Sequence, residues 1–85
     1  MDMNIFIYQI DLKKKKIKNL LDEFVSELNC KISNIDIGFY SYSFDVLVSI
    51  DNIQNIINII SQYQKKFNII DEFICIGTDI RFNPV

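Results

Sequence analysis

Apolar residues recur along this chain in two rhythms, one of period two and one of helical period, and six elements follow from where each applies. Residues 3–12, MNIFIYQIDL, read as a strand. Ile5 and Ile7 point to one side, and Phe6, Tyr8 and Ile10 to the other. A strand that is apolar on both sides belongs in the middle of a sheet. From about residue 14 to residue 29 the spacing changes. Ile17, Leu20, Leu21, Phe24, Val25 and Leu28 form one helical stripe, with Lys18, Asp22, Glu23, Ser26 and Glu27 opposite. Asp11 is a candidate upstream cap, and Asn29 suits the exit from the helix.

Residues 31–39 return to period two. Ile35, Ile37 and Phe39 share one side and Asn34 and Asp36 the other, as in an edge strand with a polar outer face. Gly38, Ser41 and Ser43 mark a bend or hairpin. The clearest strand pattern covers residues 42–50, where Tyr42, Phe44, Val46, Val48 and Ile50 alternate with Ser43, Asp45, Leu47 and Ser49. A second helix is expected after Asp51 as its cap, running to about Phe67 on a stripe of Ile53, Ile56, Ile57, Ile60, Gln64 and Phe67. Ile59 and Tyr63 widen that stripe to one side. A last strand is expected over residues 71–82. Ile74, Ile76, Ile80 and Phe82 share parity, Phe73 and Cys75 take the other side, and Gly77 is a candidate kink.

The order βαββαβ is that of two split βαβ units. The expected fold is therefore α+β, a ferredoxin-like sandwich with a four-stranded antiparallel sheet and two helices on one face. All 85 residues fit one domain. Apolar residues make up 49% and charged residues 24%, with two Gly and one Pro, which is the composition of a globular chain.

The net charge of −2 and pI of about 4.8 argue against a protein whose main task is to grip nucleic-acid phosphates. The chain contains no His, so it lacks the usual proton-transfer side chain near neutral pH and the commonest metal ligand. Cys30 and Cys75 stand 45 residues apart without a CxxC pattern, which gives no zinc motif and suggests two buried thiols in a reducing compartment. The opening MDMNIFIYQID has no basic leader, and no apolar run reaches the roughly 20 residues a membrane helix needs, so a cytoplasmic protein without a membrane segment is expected.

No GxxxxGK[ST], GxGxxG, GxSxG or HExxH pattern is present, and no enzyme, cofactor or metal is expected. Asp11 is the single carboxylate worth examining, because IYQID resembles the first strand of a ferredoxin-like nuclease of CRISPR adaptation, which ends on an early Asp. The run Lys13–Lys16 with Lys18 lies where the helix dipole disfavours cations, so solvent, Asp11 or an anion must offset it.

Two further resemblances bear on binding. IFIYQI at residues 5–10 and GFYSYSF at 38–44 resemble the aromatic strands of the RNA recognition motif, whose rings stack bases. Residue 37 is Ile where that motif carries a basic residue, and Tyr42 and Phe44 can equally face the helices. Residues 20–60 resemble small ligand-sensing regulatory domains of the ACT type. Those domains often bind amino acids beside a glycine in the first βα loop, and QIDLKK has no glycine.

The strongest expectation concerns association. Two helices cover one face of a sheet, and a first strand apolar on both sides leaves a patch on the other. The residues expected at a protein interface are Ile5, Ile7, Phe6, Tyr8, Leu47, Ile59, Tyr63 and Phe73. The chain then reads as a non-catalytic module, self-associating as a homodimer and able to take a second protein partner. In a sharper version it is a small acidic inhibitor of a nucleic-acid-binding host machine, of the kind a phage or mobile element makes. Asp22, Glu23, Glu27, Asp71, Glu72 and Asp79 would then occupy a groove meant for phosphate.

Overall fold

A computed structural model describes residues 1–81 of the chain. The elements are β1 (Asp2–Tyr8), α1 (Lys15–Leu28), β2 (Ile32–Ile37), β3 (Ser41–Leu47), α2 (Ile53–Ile70) and β4 (Cys75–Arg81). They form a four-stranded antiparallel sheet in the order β2-β3-β1-β4 with two helices. The strand read as apolar on both sides, β1, is central beside β3, and the polar-faced β2 is an edge. Phe82, expected at the end of β4, lies outside the described residues.

Register sorts the side chains into two sides. Met3, Ile5 and Ile7 of β1 sit opposite Val46, Phe44 and Tyr42 of β3 and Ile80, Thr78 and Ile76 of β4. This side lies under the helices. It joins Ile17, Leu21, Phe24 and Leu28 of α1 and Ile56, Ile60, Tyr63 and Phe67 of α2 in one core. The rings interlock there: Phe24 meets Phe44 edge-on at 6.3 Å and tilts against Tyr63 at 4.9 Å. Each large side chain so enclosed contributes about 1.5–3 kcal/mol before ordering entropy is subtracted.

Several expected positions are corrected, each for a local reason. Ile10 does not share a side with Phe6 and Tyr8. Gln9 takes a left-handed backbone, φ 59°, which ends β1 and turns Ile10 into the core. Asp11 does not cap α1. Its carboxylate accepts from the Lys13 N–H at 3.0 Å, closing a turn before the helix, and Lys14 is the N-cap with no side-chain bond. Asp51 does not cap α2 either. Asn52 precedes that helix, and its side-chain oxygen accepts from the Ser49 N–H at 2.7 Å. This turn ends β3 early and leaves Ile50 in solvent. Asn29 does close α1, in the left-handed conformation (φ 46°).

Candidate interaction surfaces

The side of the sheet away from the helices is open. Reading across the register from β2 to β4 gives rows of neighbours. One row is Asp36, Ser43, Phe6 and Gly77; the next is Ser33, Asp45, Asn4 and Asp79. Tyr8 and Cys75 pair beyond the first row, and Leu47, Asp2 and Arg81 beyond the second. The Phe6 ring lies over Gly77, where any Cβ would enter it, and beside the Tyr8 ring at 5.2 Å. Phe6 is half-buried as a result, while Tyr8 and Leu47 are 51% and 54% exposed.

Asp45 occupies the middle of this open side yet is only 6% exposed. Its two carboxylate oxygens accept from the side-chain amides of Asn4 and Asn34, each at 2.8 Å. The Asn34 amide, then that of Asn4, holds the Asp45 carboxyl below the usual carboxylate range against the opposing effect of burial, with Arg81 adding a weaker pull. No cation pairs with it among the described residues.

Asn34 reaches Asp45 because β2 is bulged there. Ser33 stands opposite Asp45 and Asp36 opposite Ser43, so β2 spends one residue more than β3 over the same span. Asn34 takes φ 52° within the bulge. The irregularity breaks the alternation read from Ile35, Ile37 and Phe39. All three are exposed, as is Tyr40, and Phe39 at the hairpin tip is 97% exposed. Ile37, opposite Tyr42, lies on the helix side but beyond the cover of the helices. The hairpin is tied back to the core by the Ile10 N–H, which donates to the Tyr40 carbonyl at 3.1 Å. Between hairpin and first loop a cleft of about 300 Å³ is lined by Asp11, Leu12, Lys13, Gly38, Phe39 and Tyr40.

The eight residues expected at an apolar interface therefore separate. Ile5, Ile7, Ile59 and Tyr63 are enclosed in the core and are not available to a partner. For Ile5 and Ile7 the reason is register, which turns them under the helices; Ile59 and Tyr63 complete the seam between α1 and α2. Phe6, Tyr8 and Leu47 stay on the open side, and Phe73 is exposed in the turn before β4. The hairpin patch was missed. Its signal was present in GFYSYSF, whose first two rings flank a turn that cannot bury them.

The six acidic candidates do not converge. Asp22, Glu23 and Glu27 lie on the outer surface of α1, Asp71 and Glu72 at the end of α2, and Asp79 on the opposite side of the sheet. Glu23 pairs with Lys66 at 3.7 Å, and the Lys66 ammonium also sits 4.4 Å from the centre of the Tyr63 ring. The buried Tyr63 hydroxyl lies near the Glu27 and Glu23 carboxylates, and neither meets it in hydrogen-bond geometry. Burial and these two carboxylates push its pKa well up.

Of the lysine run, Lys14 approaches Asp71 at 4.0 Å, and the first turn of α1 holds no acid to offset its neighbours. Cys30 is half-buried, which raises its thiol pKa; Cys75 is exposed, not buried as expected, and both thiols are free. Among the described residues no group of three or more acidic or thiol side chains is placed to hold a metal ion, and no helix is long and apolar enough to cross a membrane. Comparison with protein-family models, curated proteins and solved structures returned no match to this chain.

Proposed function

We propose that this chain is a non-catalytic protein-binding module of the ferredoxin-like sandwich type, pairing with a second copy through β2 and the β2–β3 hairpin. The element order and the strand order β2-β3-β1-β4 support the fold assignment. One observation carries the function: Ile35, Ile37, Phe39 and Tyr40 stand exposed together along a free edge strand. An uncovered apolar edge offers both a hydrogen-bonding ladder and surface to bury.

A second copy is the occupant favoured by the chemistry of the patch. Asp36 is the single formal charge between Ser33 and Tyr40, so two such patches can face each other without strong repulsion. A two-fold axis would bring each patch against itself. The free thiols Cys30 and Cys75 fit work in a reducing compartment such as the cytoplasm.

Light scattering over a concentration series tests this reading. The native chain should show a dimer whose population rises with concentration. Phe39→Ser combined with Ile37→Ser should give a folded monomer over the same range. A native chain that stays monomeric throughout would end the self-pairing proposal.

A further inference from the structure

We infer that the open side of the sheet is a docking surface for an arginine- and lysine-rich segment of a partner protein. This goes beyond self-pairing and uses the open side of the sheet, which meets the self-pairing edge at Asp36 of β2; tested on a variant with the hairpin patch removed, either proposal can fail alone.

The charge on this side is one-sided. Asp36, Asp45 and Asp79 lie within two adjacent rows, and no lysine of the chain falls on any strand. The cations on this side among the described residues stand at its rim, one row beyond: Arg81, 3.7 Å from Asp79, and the exposed Lys31, whose carbonyl accepts from the Leu47 N–H just ahead of β2. Asp45 carries an enclosed charge solvated by two neutral amides alone. Being only 6% exposed, that charge has little water against it to screen its field. Beside it the Phe6 and Tyr8 rings present an aromatic pair able to receive a guanidinium or ammonium group.

Spacing makes the surface specific. Asp36 on β2 and Asp79 on β4 are three strands and one row apart, roughly 16 Å from strand spacing and rise. A line between them passes between the Asp45 carboxylate and the Phe6 ring. An extended segment covers that distance in about five residues. Cations near its two ends would meet Asp36 and Asp79, and one between them would lie against the aromatic pair and over Asp45. Nucleic acid is disfavoured on the same ground: rings suitable for stacking are surrounded by carboxylates that repel phosphates. A segment of this character is what a phosphate-gripping groove presents to its own ligand.

The test uses a synthetic peptide in which arginines alternate with glycine and serine, titrated calorimetrically into the Phe39→Ser, Ile37→Ser variant at low ionic strength, with amide chemical shifts followed in parallel. Binding should perturb Phe6, Tyr8, Asp36, Asn4 and Asp79 and leave the outer side of α1 unmoved. Asp36→Asn and Asp79→Asn should each weaken binding about two- to fivefold, as for exposed ion pairs, and Tyr8→Ala by a similar factor through loss of the cation–π contact. Asp22→Asn should change nothing. Raising the salt should weaken binding throughout. Absence of binding at low salt, shifts confined to α1, or tighter binding of a single-stranded oligonucleotide to the same residues would overturn the inference.

Discussion

The side-chain amide of Asn34 donates to the carboxylate of Asp45 at 2.8 Å, from a residue whose backbone is left-handed at φ 52°. The two facts belong together. A left-handed Asn costs conformational energy, though less than most residues would incur. Here that conformation creates the bulge that brings the amide over the adjacent strand. The bond in turn supplies one of the two donors that keep an enclosed carboxylate solvated. The shape of the edge strand β2, and hence how Ile35 and Ile37 are displayed, is thus tied to a charge at the centre of the open side.

Asp45→Ala should therefore destabilise the fold by about 1–3 kcal/mol, because it removes two hydrogen bonds to a charged acceptor, one from the half-buried Asn4 and one from the exposed Asn34. The pH dependence has a definite sign. The folded carboxyl is held below its ordinary range, so its contribution is fully present above the unfolded value of about 4 and is lost as pH falls through the lower folded value. Urea unfolding followed from pH 7 down to strongly acid conditions should show this acid-side loss in the native chain. The loss should be smaller in Asp45→Asn. An equal acid-side slope in both proteins would contradict the arrangement.

Gly77 and Phe6 make a second pair that can be tested through their coupling. The ring lies where a Cβ at position 77 would be, so Gly77→Ala must displace it. Overpacking of this kind costs about 1–3 kcal/mol. With Phe6→Ala already in place the same change should cost much less, since the obstruction is gone. A double-mutant cycle read by thermal unfolding measures the difference. Additive effects would mean that the ring can leave Gly77 freely.

The sheet was legible in the sequence because period two survives wherever a strand is regular. The alternation of Phe44 and Val46, and of Ile5 and Ile7, is reproduced in the buried side of the sheet. What alternation could not say is which side the helices would take, and so Ile5 and Ile7 were indistinguishable from Phe6 and Tyr8 as candidates for exposure. Three non-glycine residues with positive φ, Gln9, Asn29 and Asn34, mark the ends or breaks of regular structure. Asn29 was readable because a helix stripe stopped beside it. Gln9 and Asn34 were not, because each interrupts a pattern that continues in letters beyond it. Asp45 reads in sequence only as one of the residues alternating with the apolar side of residues 42–50. Its two amide partners come from 41 and 11 residues away, a coincidence that only the strand register creates.

Tyr63 poses the last test, because its ring and its hydroxyl pull in opposite directions. The ring is fully buried between α1 and α2 and stacks against Phe24. The hydroxyl is enclosed without a hydrogen-bond partner among the described residues. Removing it while keeping the ring should relieve an uncompensated desolvation, so Tyr63→Phe is expected to raise stability by about 1 kcal/mol. Tyr63→Ala, which empties the site, should lower it by about 3–5 kcal/mol. The alkaline limb adds an independent check. The folded pKa is raised, so the benefit of the neutral phenol is complete below the unfolded value of about 10 and is lost as pH rises from there towards the folded value. Tyr63→Phe should flatten the decline in stability above pH 10, measured by urea unfolding at stepped pH. A loss of stability in Tyr63→Phe at neutral pH would show that the hydroxyl does hold a partner, with Glu27 or Glu23 the group to examine.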